Sequence, residues 1–323
     1  MITIIGAGPI GLACGIALKQ RGIPFRIIDK GCLVNSIFHY PTNMTFFSTS
    51  DRLEIGGVPF ISHGVKPTRR EALEYYRRVA ESYELPLHLY EEVRDVRGED
   101  GNFVISTDKA TYESEKVILS SGFYGLPHRM DVPGEDLPKV KHYYDEPHPY
   151  AFMKVLVVGA GNSAVDVALE SFRCASEVSM VIREPRIGDN VKYWVKPDIE
   201  NRISEGSIRA WFNSELVEIR EKEVVIRTPD GIRTIQNDFV MAMTGYEPDF
   251  GFLERIGIRK EGNEQIPSHD DNTHESNVKG VYLAGVVCGG LNTSKWFIEN
   301  ARMHAECIAD DIAEKSGKKS VAP

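Results

Sequence analysis

Ile2-Thr3-Ile4-Ile5-Gly6-Ala7-Gly8-Pro9-Ile10-Gly11 is the stretch that decides the fold. Its first four residues are an apolar, mostly β-branched run, the pattern of a short strand buried on both faces. The glycines then fall in a Gly-x-Gly-x-x-Gly turn, and Leu12, Ala13, Ile16 and Ala17 repeat at helical spacing behind it. In a strand–turn–helix of this kind each glycine has a task. The first makes the tight turn, the second leaves room for a pyrophosphate, and the third lets helix and strand approach, with phosphate at the helix N-terminus. Asp29 closes a second strand, Phe25-Arg26-Ile27-Ile28, 23 positions after Gly6. There a carboxylate accepts hydrogen bonds from adenosine ribose hydroxyls.

The chain states this plan twice. Val155-Leu156-Val157-Val158 leads into Gly159-Ala160-Gly161-Asn162-Ser163-Ala164, a helix with Val165, Ala168, Leu169 and Phe172 on one face, and a strand from Val178 to Ile182. Ala164 replaces the third glycine, which widens the spacing slightly. At the place of Asp29 this copy has Arg183, 24 residues after Gly159. Arg183, Arg186 and Lys192 predict a clamp for a 2′-phosphate, because a guanidinium pairs with phosphate as a bidentate fork. Glu184, turned inward, would instead bind a free 2′-hydroxyl and select NADH.

Each half closes on a strand followed by Ser or Thr and Gly, at Ser121-Gly122 and Thr244-Gly245. The first half is 30 residues longer, mainly between Gly31 and Pro67. That insertion is rich in aromatic residues (Phe38, His39, Tyr40, Phe46, Phe47, Phe60) and precedes Thr68 and Glu71, spaced as a capping box. After Gly245 the chain runs through Tyr282-Leu283-Ala284-Gly285 to a final helix from about Lys295. These signals predict an α/β protein with two Rossmann-like dinucleotide-binding domains, the second inserted into the first. Residues 1–122 and 245–323 form the FAD-binding domain, and 123–244 the NADPH-binding domain. FAD falls to the domain completed by the C-terminal segment, since a flavin needs the longer trough.

Composition narrows the function. With 38 Lys and Arg against 47 Asp and Glu, the net charge is -9, which disfavours nucleic acid and anionic membranes as partners. No apolar run approaches the roughly 20 residues of a membrane helix. The first strand begins directly after Met1, which points to the cytoplasm. The five cysteines, Cys14, Cys32, Cys174, Cys288 and Cys307, form no Cys-x-x-Cys. Their odd, scattered placement argues against a disulfide framework and a zinc site, and reads as reduced, mostly buried thiols.

Gly-Ala-Gly-Pro-Ile-Gly, Gly-Ala-Gly-Asn-Ser-Ala, Thr244-Gly245-Tyr246-Glu247-Pro248-Asp249 and Tyr282-Leu283-Ala284-Gly285 resemble the low-molecular-weight thioredoxin-reductase superfamily across essentially the whole chain. Tyr40-Pro41-Thr42, Thr45 to Asp51, Ile55-Gly56, Val58-Pro59-Phe60, Phe123-Tyr124-Gly125 and His148-Pro149-Tyr150 are similar, more specifically, to the bacillithiol-disulfide reductases, which use FAD and NADPH. The resemblance implies FAD contacts at Gly6, Ala7, Gly8, Pro9, Ile10, Gly11, Asp29, Lys30, Ser36, Thr45, Val93, Ser121, Gly122, Gly285 and Val286. It implies NADPH contacts at Gly161, Asn162, Ser163, Ala164, Arg183 and Lys192, and a homodimer. The chain departs from thioredoxin reductases proper in lacking their Cys-x-x-Cys, and from the related monooxygenases in lacking Phe-x-Gly-x-x-x-His. Ile10 stands where many bacillithiol-disulfide reductases carry a loop cysteine, and Cys14 lies one helical turn further on.

The chemistry expected is hydride transfer from nicotinamide to flavin, for which no acid–base pair is obligatory. His39, His142, His148, His269, His274 and His304 read as mostly loop or surface histidines. Cys288, three residues after Gly285, is a candidate thiolate relay, and Glu299 and Asn300 are candidates for the same cavity. Three readings of the function stand open: reduction of a low-molecular-weight disulfide, reduction of a small electron-transfer protein such as ferredoxin or flavodoxin, and a redox sensor.

Overall fold

The computed structural model describes residues 1–189 and 191–317. Two compact units divide the chain. One holds Met1–His39, Asn43–Leu126 and the residues from Tyr246 onward; the other holds Tyr40–Thr42 and Pro127–Gly245. Two parallel sheets use ten strands: β1 (Ile2–Ile5), β2 (Phe25–Ile28), β3 (Leu87–His88), β4 (Lys116–Leu119), β5 (Val140–Lys141), β6 (Lys154–Val158), β7 (Glu177–Val181), β8 (Arg209–Trp211), β9 (Phe239–Ala242) and β10 (Val281–Leu283).

The first unit's sheet has the order β10-β4-β1-β2-β3. Every neighbour is parallel, with Ile2 opposite both Phe25 and Lys116. β1 is central, so all four of its residues are buried, which explains why they read as an unbroken apolar run. Helix α1 (Pro9–Gln20) is buried from Ile10 to Leu18. It lies close to the sheet because Gly15 has no side chain: a Cβ there would sit 2.9 Å from both Ile27 and Phe25. An antiparallel meander, Val93–Glu99, Asn102–Thr107 and Thr111–Ser114, belongs to the same unit.

Helix α2 (Arg69–Ser82) follows the long insertion and buries Ala72, Tyr75, Tyr76, Val79 and Ala80, the i, i+3, i+4, i+7, i+8 stripe of an amphipathic helix. The insertion packs on that stripe. Phe60 stacks on Tyr75 at 4.2 Å, and the Tyr75 hydroxyl donates to Val58 O and accepts from Ile55 N–H. Phe46 and Phe60 are therefore small-core residues, whereas Phe38 and Phe47 are exposed. The capping box at Thr68 and Glu71 is formed, and Glu71 also accepts from His63 N–H at 2.7 Å.

The second unit repeats the plan. Its parallel sheet has the order β8-β7-β6-β9-β5, with helix α3 (Asn162–Phe172) following β6. A meander of Glu215–Ile219, Glu223–Thr228 and Gly231–Gln236 accompanies it. Two Rossmann-like folds in one chain are thus the architecture. Near the C-terminus, a one-turn helix at Ile298–Ala301 precedes α4 (His304–Lys315), where the sequence predicts one helix from about Lys295.

Thr68→Ala removes the acceptor for the Glu71 N–H and should cost about 1 kcal/mol. Urea unfolding should show a lower midpoint with an unchanged slope. An unchanged midpoint would mean that the cap adds nothing to stability.

Candidate functional site

In the first sheet the chain leaves β1 toward β2 on one side and returns through β4 and β10 on the other. This makes the carboxyl end of β1 the switch point where open α/β sheets bind ligands. The glycine loop occupies that edge. Gly6 (φ +110°) and Gly11 are fixed by contact, because a Cβ on Gly6 would lie 2.4 Å from Ser120 O and one on Gly11 only 1.9 Å from Gly6 O. Gly8 is different: a Cβ there meets nothing within 4 Å. It is the N-cap of α1 and offers no side-chain hydrogen bond, so first-turn N–H groups lack side-chain acceptors at an open edge. Such a helix start attracts an anion.

Asp29 ties this edge together. Its Oδ2 accepts from Ala7 N–H at 2.6 Å and its Oδ1 from Gly31 N–H at 2.8 Å. Each carboxylate oxygen can accept a second hydrogen bond, so ribose hydroxyls have acceptors left. Burial raises the pKa of Asp29, while the two N–H donors oppose the shift. Lys30 is exposed, and a Cβ on Gly125 would come 3.1 Å from its Nζ. Ser36 sits on a one-turn helix, Asn35–Phe38. That turn is anchored by Val34 N–H on Ala7 O and by the Arg69 guanidinium on Ile37 and Phe38 carbonyls.

Thr45 bridges to Thr68, Val93 opens the meander, Ser121-Gly122 follows β4, and Gly285-Val286 follows β10. Gly285 faces the loop directly, since a Cβ on it would lie 3.2 Å from Ile10. Two residues here escape a motif search. Ser120 Oγ donates to Ile5 and Gly6 carbonyls at 3.1 and 3.0 Å. Val34 is a β-branched residue at φ 47°, a strained geometry held by its N–H bond to Ala7. Only the Ser-Ser-Gly at the end of β4 hints at the first, and nothing in sequence marks the second.

The second loop is built alike. Gly159 (φ +122°) leaves no room for a Cβ, which would stand 2.5 Å from Met243 O, and Gly161 again opens onto empty space. Ala164 is fully buried, and Ser163 and Asn162 open α3. Asn162 Oδ1 accepts from Lys192 N–H at 2.8 Å.

The three predicted clamp cations are not equivalent. Lys192 Nζ pairs with Asp166 at 2.6 Å and Arg186 with Asp189 at 2.6 Å, each satisfied by a carboxylate of its own unit. Arg183 is exposed and, among the described residues, makes no ion pair or hydrogen bond through its side chain. Asp166 and Asp189 thus hold two of the three cations, and Arg183 alone is left without a carboxylate partner among the described residues.

Two expectations are corrected. His274 and His304 are 5% and 3% exposed, and His304 opens α4. They are buried because the imidazoles stack at 3.9 Å and His304 Nδ1 accepts from Gly285 N–H. The cysteines also differ from one another: Cys14 and Cys288 are buried, Cys32 and Cys174 are half-buried, and Cys307 is exposed. All five are free. Burial pushes the Cys288 thiol up to about 12 and the Cys14 thiol still higher. Asn300 Oδ1 accepts from Phe297 N–H, and Glu299 lies 3.7 Å from Arg52.

A parallel sheet with an open helix start at its switch point, present twice, is the geometry of two dinucleotide-binding folds. Residues 3–285 match the model of the pyridine nucleotide-disulphide oxidoreductases, and the chain belongs to that family. It is 45% identical over 314 residues to the bacilliredoxin reductase Bdr of Bacillus subtilis, covering 97% of each chain. It also superposes on the bacillithiol disulfide reductases of Staphylococcus aureus (39% identity, TM-score 0.94, covering 97% of this chain and 98% of that one) and Bacillus cereus (38%, 0.95, 98% and 99%). The chain is thus a reductase on a thioredoxin-reductase-like scaffold. Among the described residues no helix is long and apolar enough to cross a membrane.

The contrast between the glycines can be measured. Gly8→Ala should fold normally yet retain at least about tenfold less flavin, because its Cβ enters the space a pyrophosphate takes. Gly11→Ala should lower the melting temperature markedly, since its Cβ collides with Gly6 O. Flavin absorbance and circular dichroism on the same samples separate the two outcomes, and equal flavin content in wild type and Gly8→Ala would sink the assignment.

Proposed function

We propose that this chain is an NADPH-dependent FAD enzyme that reduces a low-molecular-weight disulfide of the bacillithiol type. The observation that carries the reading is the paired cradle, Gly8 over α1 and Gly161 over α3, each with room where any other residue would put a side chain. The names of the S. aureus and B. cereus relatives, both bacillithiol disulfide reductases, support the choice of acceptor class. Bound FAD supplies a two-electron acceptor for hydride, which protein side chains lack.

The protein's part is placement. The start of α1 and the Gly6–Gly11 loop hold the pyrophosphate of FAD, and Asp29 accepts from its ribose. Lys30, Ser36, Thr45, Val93, Ser121-Gly122 and Gly285-Val286 line the rest of the flavin trough. In the second unit Gly159 to Ala164 receive the pyrophosphate of NADPH, and Arg183 grips its 2′-phosphate. Arg186 exchanges Asp189 for that phosphate at small cost, since an exposed ion pair is worth only about 0–1 kcal/mol, and the half-buried Lys192 turns from Asp166 to it. The balance is one NADPH and one proton consumed per disulfide, giving NADP⁺ and two thiols. The resemblance to the bacillithiol-disulfide reductases further suggests a cytoplasmic homodimer.

No thiol is needed on the hydride path. Ile10 stands in place of the loop thiol, and burial raises the pKa of the Cys288 thiol, which disfavours its nucleophilic form. The same observation favours a second reading, in which the acceptor is a small electron-transfer protein that needs no enzyme thiol.

Steady-state NADPH oxidation with oxidised bacillithiol, ferredoxin and flavodoxin distinguishes the two. The disulfide should be the fastest acceptor; turnover only with the proteins would establish the second reading. Arg183→Ala should weaken NADPH roughly ten- to a hundredfold and leave NADH nearly untouched. Equal loss for both nucleotides would make Arg183 structural. Replacing all five cysteines in FAD-loaded protein should leave ferricyanide reduction near native, and its collapse would put a thiol on the path.

A further inference from the structure

We infer that the first unit carries a buried transition-metal site, formed by His269, His274 and Cys288, that takes a divalent ion of the zinc class. One ligand atom from each residue lies within 4.8 Å of the other two. Zinc–nitrogen and zinc–sulfur bonds of about 2.0–2.1 and 2.3 Å in tetrahedral array put ligand atoms roughly 3.3–3.6 Å apart. Closing on an ion therefore asks for side-chain shifts of about an ångström, within the reach of small χ rotations.

The three residues sit on a braced frame. The loop that carries both histidines is closed by an antiparallel bridge between His269 and Ser276 and a second between Glu275 and Tyr282. Inside it, Asp270 Oδ1 accepts from the N–H groups of Asn272 and Thr273, and His274 N–H donates to Asp270 O. Leu283 N–H donates to His274 O, which fixes the loop to β10, and Cys288 lies just beyond β10 in the turn Gly285–Gly289. His274 adopts φ 59°, in the left-handed region that histidine enters more readily than most residues.

Polar atoms left without partners point to a missing ligand. His274 Nδ1, His304 Nε2 and Trp296 Nε1 are buried and have no hydrogen-bond partner. Native interiors leave only a few such atoms unmatched per hundred residues, and here three share one cluster, since His304 stacks on His274 and Trp296 packs edge-on against His304 at 4.5 Å. An ion held by His274 supplies a partner to the imidazole, and water in the open fourth position is an acceptor for N–H donors of the cluster.

Tautomers agree with this assignment. His269 Nδ1 lies 2.6 Å from Pro267 O, so it carries the proton and leaves the Nε2 lone pair free, the second-shell arrangement usual for zinc-bound histidine. His304 Nδ1 already accepts from Gly285 N–H and stays 3.9 Å from Cys288 Sγ, which makes His304 a packing neighbour. His269 is half-buried and provides the approach from solvent. The cysteine spacing gives no sign of this site because two of its ligands are histidines.

The test uses the full-length, FAD-loaded protein stripped with a chelator and titrated with Co²⁺. Tetrahedral Co²⁺ with one thiolate should give ligand-field bands at longer wavelength than the flavin, with a thiolate charge-transfer band, at one ion per chain. Zn²⁺ should displace it. Cys288→Ser and His274→Ala should each weaken binding at least about 100-fold, and Cys307→Ser should not change it. Flavin content and circular dichroism verify folding. If a variant fails to fold, the wild-type spectrum decides alone: no thiolate charge-transfer band, or no ion retained, overturns the proposal. So does Co²⁺ binding that survives the His274→Ala/Cys288→Ser double variant. None of these readouts depends on turnover, so the proposal stands or falls apart from the assigned acceptor.

Discussion

One close approach governs the first unit: Gly11, at the head of α1, sits so near the Gly6 carbonyl that a Cβ would be 1.9 Å away. That approach drives the start of α1 against the end of β1, with Ser120 Oγ holding the Ile5 and Gly6 carbonyls from β4's side. Everything at the edge follows from it. The helix start cannot be capped by a side chain, Ala7 N–H is turned to Asp29, and Ala7 O is turned to Val34. The backbone groups that the turn leaves over are those that an anion satisfies.

The second unit obeys the same constraint with one relaxation. Gly159 still packs on Met243 O, but the third position is Ala164, which is fully buried. At Gly11 a Cβ would stand 1.9 Å from the Gly6 carbonyl oxygen, so the first unit leaves no room for that alanine. The ends of the two second strands then set the charge of each site. A carboxylate follows β2 at Asp29 and a guanidinium follows β7 at Arg183, so the two edges carry opposite charge. Glu184 is exposed beside Arg183.

Local chemistry made much of this legible in the sequence. The strands, glycine loops and capping box depend on neighbours within a few residues, and so β1, α1, β6 and the Thr68–Glu71 box could be read from spacing. What could not be read depends on distant partners. Lys192 meets Asp166 across 26 positions, and Arg186 loses its freedom to Asp189, a near pair that a reading focused on cations passes over. The strain at Val34 exists only because Ala7 O is there to accept its N–H. The burial of His274 and His304 arises from stacking between a loop and a helix thirty positions apart, which no periodicity signals.

The turn after β10 joins these threads. Ile10 is 8% exposed and presses on Gly285 from the glycine loop, while His304 takes the Gly285 N–H from α4. Gly285 is thus gripped from two sides, by an apolar contact and by a neutral imidazole. A thiol in place of Ile10 would be smaller and would loosen the first grip while adding a reactive sulfur. With isoleucine there, the loop gains packing and loses a nucleophile. The packing that buries the turn also desolvates the Cys288 sulfur and raises its pKa, so the grip on Gly285 and the shift of the thiol have one cause.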